Sequence, residues 1–167
     1  ASNAVLGSEG KAGTVTVSST GKLSVLNKGQ IGSNTSSIGK AGSVIIDAGE
    51  LLVDGGGTGG FTGISSDTGS DGNAGTVKVT SKGLITVLNG GVISSTTFAK
   101  GDAGSVSIEA DKLLVEGGEH FTGIASNAVL GSEGKSGIIT VSSTGKLSVL
   151  NNGQIGSNTS SIGKAGS

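Results

Sequence analysis

Aliphatic and polar residues alternate along short stretches of this chain. Val15 and Val17 alternate with polar neighbours, and after a polar turn the same alternation returns at Leu23 and Val25. A period of two residues is typical of a β-strand with one buried face. A polar corner follows, and Ile31 begins a third, weaker strand. The pattern therefore predicts three short strands and no helix in this part of the chain.

The strand pattern recurs at a regular spacing. It starts each time after a glycine, and these glycines follow one another at intervals of 29, 33, 29 and 33 residues: Gly13, Gly42, Gly75, Gly104 and Gly137. Residues 1–43 also recur at 125–167 with only four differences. The spacing predicts five coils of alternating length, at residues 13–41, 42–74, 75–103, 104–136 and 137–165. Residues 1–12 are interpreted as the tail of a preceding coil, and Gly166 with Ser167 as the start of another.

Units of this kind bury their aliphatic face only by stacking on one another. We therefore expect an all-β fold, a parallel β-helix (solenoid) with three short strands per coil. The handedness rule for parallel crossovers favours the right-handed form, and coils should rise by about 4.8 Å each. In the second coil the pattern places Phe61 together with Ile64 on the inward face of the third strand. The whole chain, 1–167, is expected to form a single β-helix segment of a longer repeat protein.

The composition excludes several classes of function. A net charge of −1 without any Arg provides no basic face for nucleic-acid phosphates. No apolar run approaches the roughly 18 residues of a membrane-spanning helix, so we expect no membrane insertion. The chain has no Trp or Tyr, which argues against a cleft that stacks on sugars. The lack of Cys is compatible with secretion, and the lack of Met favours an internal segment.

One corner of the short coils carries an asparagine, at Asn27, Asn89 and Asn151. Asparagine tolerates the left-handed backbone and hydrogen-bonds to its neighbours, so these residues are interpreted as structural turns. The long coils place glycine-rich turns at the same corner, at residues 55–57 and 117–118. A continuous asparagine ladder is therefore not expected there.

A loop in the second coil carries spaced oxygen ligands at Asp67, Asp71 and Asn73. Such spacing is found in calcium loops, where a glycine such as Gly72 permits a sharp turn. The loop lacks a bidentate Glu, and its counterpart in the fourth coil loses the pattern. The sequence makes this a weak calcium site at most, and the favoured interpretation is a solvated loop without a cofactor.

Two Asn-x-Ser sequences match the acceptor pattern for glycosylation, at Asn34 and Asn158. Chance matches are expected in a chain this rich in Ser, Thr and Asn. Modification at these two residues is therefore one hypothesis, and an unmodified polar loop is the other.

Carboxylates suggest an enzyme as the competing class, because parallel β-helices also carry polysaccharide lyases and hydrolases. Asp47 shares a coil position with Glu109, and the coil between them carries Thr80 there. Two coils separate partners by about 9.6 Å, which is wide for a shared acid–base role. Asp54 and Glu116 form a second pair of this kind.

The single His of the chain, His120, lies beside Glu119 in a corner and could form an acid–base couple. No nucleophile is placed near it by any motif, so a surface histidine is the favoured interpretation. We predict no catalytic residue, no cofactor-binding residue and no enzyme activity.

The repeat sequence resembles that of filamentous-haemagglutinin-like exoproteins, the large adhesins of bacterial two-partner secretion. The resemblance rests on residues 101–115 (GDAGSVSIEADKLLV) and on residues 88–95 (LNGGVISS). It implies a right-handed β-helical shaft, export without disulfides, a secreted or cell-surface location and a role in adhesion.

The expected function is the structural shaft of a secreted cell-surface adhesin or extracellular fibre, acting by projection and multivalent contact. One alternative is a self-assembling fibre subunit that stacks head to tail, and another is a polysaccharide-active enzyme. The expected partners are neighbouring repeats or further copies of the chain end to end, together with host or surface glycans or proteins.

Overall fold

The computed structural model of the chain describes residues 1–3, 10–129 and 131–160. Within these residues the protein is all-β, and no helix is present that could cross a membrane. The described strands are β1 (Val15–Leu26), β2 (Gln30–Gly32), β3 (Ser43–Asp54), β4 (Thr62–Ser65), β5 (Thr76–Ser81), β6 (Leu84–Leu88), β7 (Gly91–Ser94), β8 (Ser105–Ala110), β9 (Lys112–Glu116), β10 (Thr122–Ala125), β11 (Ile138–Ser143), β12 (Leu147–Leu150) and β13 (Gly153–Gly156).

The strands stack in parallel from coil to coil and form two sheets. The larger sheet follows the order β11-β8-β5-β3-β6-β9-β12, with β1 paired to β3, and the smaller sheet follows the order β13-β10-β7-β4-β2. Equivalent residues pair in register, for example Val44 with Val77 and Val77 with Val106. The predicted parallel β-solenoid of about five turns is confirmed. The segment 166–167, interpreted as the start of a further coil, lies outside the described residues.

The number of strands per coil differs from the expectation in the first two coils. In the third, fourth and fifth coils the first two strands are separate, as predicted. In the first two coils they merge into one bent strand of 12 residues, β1 and β3 respectively. The two merged strands pair along both arms, with a register shift between Ser19 and Lys22. The predicted turn is thus accommodated as a bulge within continuous pairing, which bends the strand without ending it.

The aliphatic residues form layers along the axis of the solenoid. In the third coil Val77, Val79, Ile85, Val87 and Ile93 are all fully buried, and the coils on either side contribute equivalent sets. Each such side chain stabilises the fold by roughly 1.5–3 kcal/mol relative to exposure. Most of their counterparts in the first and last coils are less buried, because these coils have a neighbouring coil on only one side within the described residues. Val25 of the first coil remains buried, whereas Leu147 and Val149 of the last coil are exposed.

The expectation that Phe61 points into the core is wrong. Phe61 precedes β4 and is partly exposed, whereas Ile64 within that strand is fully buried. The third strand contributes one inward aliphatic side chain per coil, and the strand begins only after the phenylalanine. Strict alternation from Ile64 places Thr62 on the inward side, and Thr62 is indeed fully buried, whereas Phe61 lies an odd number of residues away.

A column of serines joins the coils beside the core, at Ser33, Ser66, Ser95, Ser126 and Ser157. Each hydroxyl donates to the carbonyl of a glycine that opens a coil. The Ser95 hydroxyl, for example, lies 2.7 Å from the Gly75 carbonyl oxygen and 3.3 Å from that of Ser66. A Cβ at Gly104 would lie 2.6 Å from Ser95 Oγ and closer still to the Gly75 carbonyl oxygen. The repeat spacing of the glycines therefore reflects close backbone approach between coils.

Candidate functional site

The corner asparagines adopt the backbone conformation that the turn hypothesis requires. Asn27, Asn89 and Asn151 each have a φ of 48°, in the left-handed region. Two of the side chains also bond to the preceding coil: Asn89 Nδ2 donates to Asp54 Oδ1 at 3.2 Å, and Asn151 Nδ2 donates to Glu116 Oε1 at 2.8 Å. Asp54 and Glu116 are thus hydrogen-bonded to turns of neighbouring coils.

Threonines of the long coils hold the second residue of each turn. The backbone N–H of Lys28 donates to Thr62 Oγ1 at 2.7 Å, and that of Gly90 donates to Thr122 Oγ1 at the same distance. Short and long coils are therefore complementary at this corner. Each threonine hydroxyl holds the backbone of the neighbouring coil, which supports the interpretation of these corners as structural turns.

The turn predicts a stabilising substitution. Lys28 has a φ of 69°, and its counterpart in the third coil is Gly90. Because a lysine is strained in this conformation and a glycine is not, we expect Lys28→Gly to raise the free energy of unfolding by about 0.5–1 kcal/mol. Urea unfolding followed by circular dichroism measures the change. The matched control is Lys22→Gly within β1, which should lower stability by a similar amount, and a loss of stability in both variants would contradict the prediction.

The paired carboxylates do not meet. Asp47 pairs with Thr80, and Thr80 pairs with Glu109, so one whole coil separates the two acids. Asp54 and Glu116 are likewise separated by Leu88. No group of three or more His, Cys, Asp or Glu residues that could hold a metal ion occurs in the part of the chain that the structure describes.

Glu119 and His120 are both exposed in the turn that precedes β10. His120 lines a shallow surface pocket of about 200 Å³, together with glycines of two coils and the ring of Phe121. No nucleophilic side chain lines this pocket. The histidine is therefore a surface residue, as the favoured interpretation expected.

The weak calcium loop uses its oxygens for contacts between coils. Asp67 Oδ1 accepts the Thr96 backbone N–H at 2.7 Å, and the Ser94 hydroxyl lies 3.0 and 3.1 Å from its two carboxylate oxygens. Asn73 Oδ1 accepts the backbone N–H of Asp102 at 3.0 Å. Asp71 is exposed. Asp67 is thus hydrogen-bonded to the third coil.

Asp67 belongs to a column that the sequence analysis missed. Side-chain oxygens of Asn3, Asn34, Asp67 and Asn127 each accept the backbone N–H of the equivalent residue in the next coil. The signal was present, because these positions, with Thr96 between Asp67 and Asn127, follow the same 29- to 33-residue spacing as the glycines. The sequence predicts no asparagine ladder at the Asn27 corner, and the ladder found in the structure runs along a different corner.

The two residues of the glycosylation hypothesis differ in their surroundings. Asn34 is partly buried, and its Oδ1 accepts both the Ser65 hydroxyl at 3.0 Å and the Asp67 N–H at 2.8 Å. Asn158 is exposed. Modification at either residue stays a prediction, and Asn158 has the more accessible side chain.

The burial of Asp67 changes its titration. Loss of hydration raises the pKa of this carboxyl to about 6, although hydrogen bonds from Thr96, Ser94 and Ser65 act in the opposite direction. A raised pKa means that the fold disfavours the charged form.

All three phenylalanines of the chain line one groove, on the outer face of the smaller sheet. The groove has a volume of about 240 Å³, and it is lined by Phe61, Phe98 and Phe121 together with Val92 and Ala125. Phe98 is 57% exposed and Phe121 is 45% exposed. Phe61 and Phe121 hold the same repeat position, since each begins a Phe-Thr-Gly-Ile sequence, but Phe98 follows the third strand of the coil between them. Sequence reasoning missed the groove because Phe98 holds a different repeat position from the other two.

The ladders, aliphatic layers and turn columns together define a parallel β-solenoid. No protein-family model, no curated protein and no solved structure matches the chain. The resemblance to filamentous-haemagglutinin-like exoproteins therefore rests on the repeat residues alone.

Proposed function

We propose that the chain is the structural shaft of a secreted bacterial cell-surface adhesin or extracellular fibre. The observation that carries the proposal is the continuity of the strand ladders, since both sheets run through all five coils of the described residues. Such a solenoid gains length with each coil and depends on no single site, which suits a projecting element. The resemblance of the repeat to filamentous-haemagglutinin-like exoproteins supports the same function.

The direction of the hydrogen bonds explains how a solenoid resists extension. Strands run around the axis, so the bonds between them point along it and bear an axial load in parallel. Each coil also offers a buried aliphatic layer, such as Val106, Ile108, Leu113, Val115 and Ile124 in the fourth coil. Loading therefore acts on many bonds and one apolar layer per coil at once.

The outward side chains support multivalent contact with surface glycans or proteins. Strand β5 directs Val77 and Val79 inwards and exposes Thr76 and Lys78. Polar and charged side chains of this kind keep a long rod soluble near zero net charge and leave its flanks available for many weak contacts. Chemistry at a single centre is not favoured by this arrangement, because Thr80 separates Asp47 from Glu109.

Because the sequence repeats, the shaft can be lengthened without interrupting the pattern of coils. Because residues 1–43 recur at 125–167, a second copy of residues 1–124 inserted before residue 1 continues the coil pattern in register. Four added coils lengthen the rod by about 19 Å. With each chain displayed on a bacterial surface, we expect the longer shaft to project further by electron microscopy and to increase attachment to host cells or glycan-coated surfaces.

Two results would contradict the proposal. Attachment that is unchanged between the two lengths would argue against projection as the function. Shortening of an acidic polysaccharide by the purified chain would favour the enzyme alternative. Negative-stain microscopy across a concentration series distinguishes the two structural variants, since filaments that grow with concentration would favour the self-assembling subunit.

A further inference from the structure

The three phenylalanines are not needed for the core. Each coil fills its interior with Val, Ile and Leu, and no phenylalanine is among the fully buried side chains of the described residues. Phe61 precedes β4, Phe98 follows β7 and Phe121 precedes β10, so three successive coils each send one ring to the same groove. Exposed aromatic surface concentrated at one place on a soluble protein indicates a contact site.

The groove is built on small residues. Its floor contains Val92 and Ala125, and the ring of Phe61 lies close over β4, since a Cβ at Gly63 would come within 3.2 Å of Phe61 Cζ. Its polar edge is formed by Asp67, Ser94, Thr96 and Asn127. Among the described residues that line it, Asp67 is the only one that carries a charge.

The charge of Asp67 is not required by the ladder to which the residue belongs. Asn34 and Asn127 occupy the same position in other coils, and an amide oxygen there accepts the same backbone N–H bond. A carboxylate at this place costs hydration, as its pKa of about 6 indicates. The aromatic walls and the unneeded charge are two independent observations, and both favour a cationic, largely apolar ligand.

We propose that this groove binds a small quaternary ammonium ion, which lies against the faces of Phe61, Phe98 and Phe121 and is paired with the Asp67 carboxylate. Aromatic faces attract cations through the quadrupole of the ring. A quaternary group fits better than a primary amine, because Asp67 already accepts bonds from Ser94 and Thr96. An –NH₃⁺ group would leave donors without acceptors, whereas a quaternary nitrogen has no N–H to satisfy.

The experiment is a calorimetric titration of the full chain with choline chloride, at constant total chloride. The control ligand is 3,3-dimethylbutan-1-ol, which has the shape of choline and no charge. We expect choline to bind with a dissociation constant on the order of 1 mM, corresponding to a few cation–π contacts and one ion pair. The neutral alcohol should bind at least about tenfold more weakly, because it gains neither interaction.

Two variants of the full chain complete the test. Asp67→Asn installs the amide that other coils carry, so it should keep the fold and weaken choline binding about tenfold. Phe98→Leu keeps an apolar wall and removes a ring face, and it should weaken choline binding without affecting the neutral alcohol. Circular dichroism and the urea midpoint of each variant verify that the solenoid is intact.

Three outcomes would overturn the proposal. One is the absence of choline binding by the unmodified chain. Another is equal affinity for choline and for the neutral alcohol, which would mean that the groove is merely apolar. The third is unchanged choline affinity in a folded Asp67→Asn variant, which would leave the carboxylate without a role in binding.

Discussion

Gly104→Ala should destabilise the solenoid by at least about 3 kcal/mol, because the added methyl group has no space to occupy. A Cβ at this position would lie 2.6 Å from Ser95 Oγ and closer still to the Gly75 carbonyl oxygen. The backbone at Gly75 cannot move away without breaking the serine column, because the Ser95 hydroxyl donates a hydrogen bond to the Gly75 carbonyl oxygen. Both the strand ladder and the buried hydroxyl would have to shift.

The matched control is Gly118→Ala. Gly118 is exposed, has no atom within 4 Å of an added Cβ and lacks a positive φ. This substitution should change the free energy of unfolding by less than about 0.5 kcal/mol. Urea unfolding of the two variants and the unmodified chain measures the difference, and equal effects of the two substitutions would show that the glycine column is not under close-packing constraint.

Asp67→Asn should remove a pH dependence from the stability of the protein. In the folded state burial raises the pKa of Asp67 to about 6, above its ordinary value of 3.8. The folded protein therefore holds a proton that the unfolded chain releases, so stability is greatest below the lower value and falls as pH rises towards and through the upper one. Across the whole interval between the two pKa values, the free energy of unfolding falls by about 3 kcal/mol.

Urea unfolding at about pH 4 and about pH 7 measures this effect. We expect the unmodified chain to lose stability between the two conditions, and Asp67→Asn to lose less and to be the more stable protein at pH 7. Asp71→Asn is the control, because it removes the same charge from an exposed position in the same loop. A pH slope that is abolished in Asp71→Asn and retained in Asp67→Asn would contradict the prediction, because Asp67 would then not be the group that titrates.

The same substitution thus has opposite expected effects on stability and on ligand binding. Asn34 and Asn127 show that an amide satisfies the ladder without a charge. A carboxylate at Asp67 is therefore a local cost to the fold, of the kind that proteins carry at functional sites. Measuring both properties in one variant separates a structural role of Asp67 from a binding role.

Much of the architecture was predictable because it is local and repeated. Alternation of Val15 and Val17 with polar residues identifies a strand without reference to any other part of the chain. The glycine spacing then supplies the coil length, and stacking follows from the need to bury one aliphatic face. The error at Phe61 arose because Phe61 lies three residues before Ile64, an offset that places two strand residues on opposite faces.

Polar columns were only partly predictable. The turn at Asn27 could be interpreted from its own sequence, since asparagine favours the left-handed backbone. The ladder through Asn34 and Asp67 was missed, because its residues were considered as ligands or glycosylation acceptors, each within its own loop. Their shared spacing was the available signal.

The sequence by itself determined the coil period and the aliphatic layers, because each depends on neighbours within a few residues and on a regular repeat. Only the tertiary structure decided that Asp67 lies with Ser94 and Thr96, and that three phenylalanines share one groove. Those contacts depend on how loops of unequal length align along the solenoid axis. No alternation or spacing within one coil encodes that alignment, since it arises only when consecutive coils are stacked.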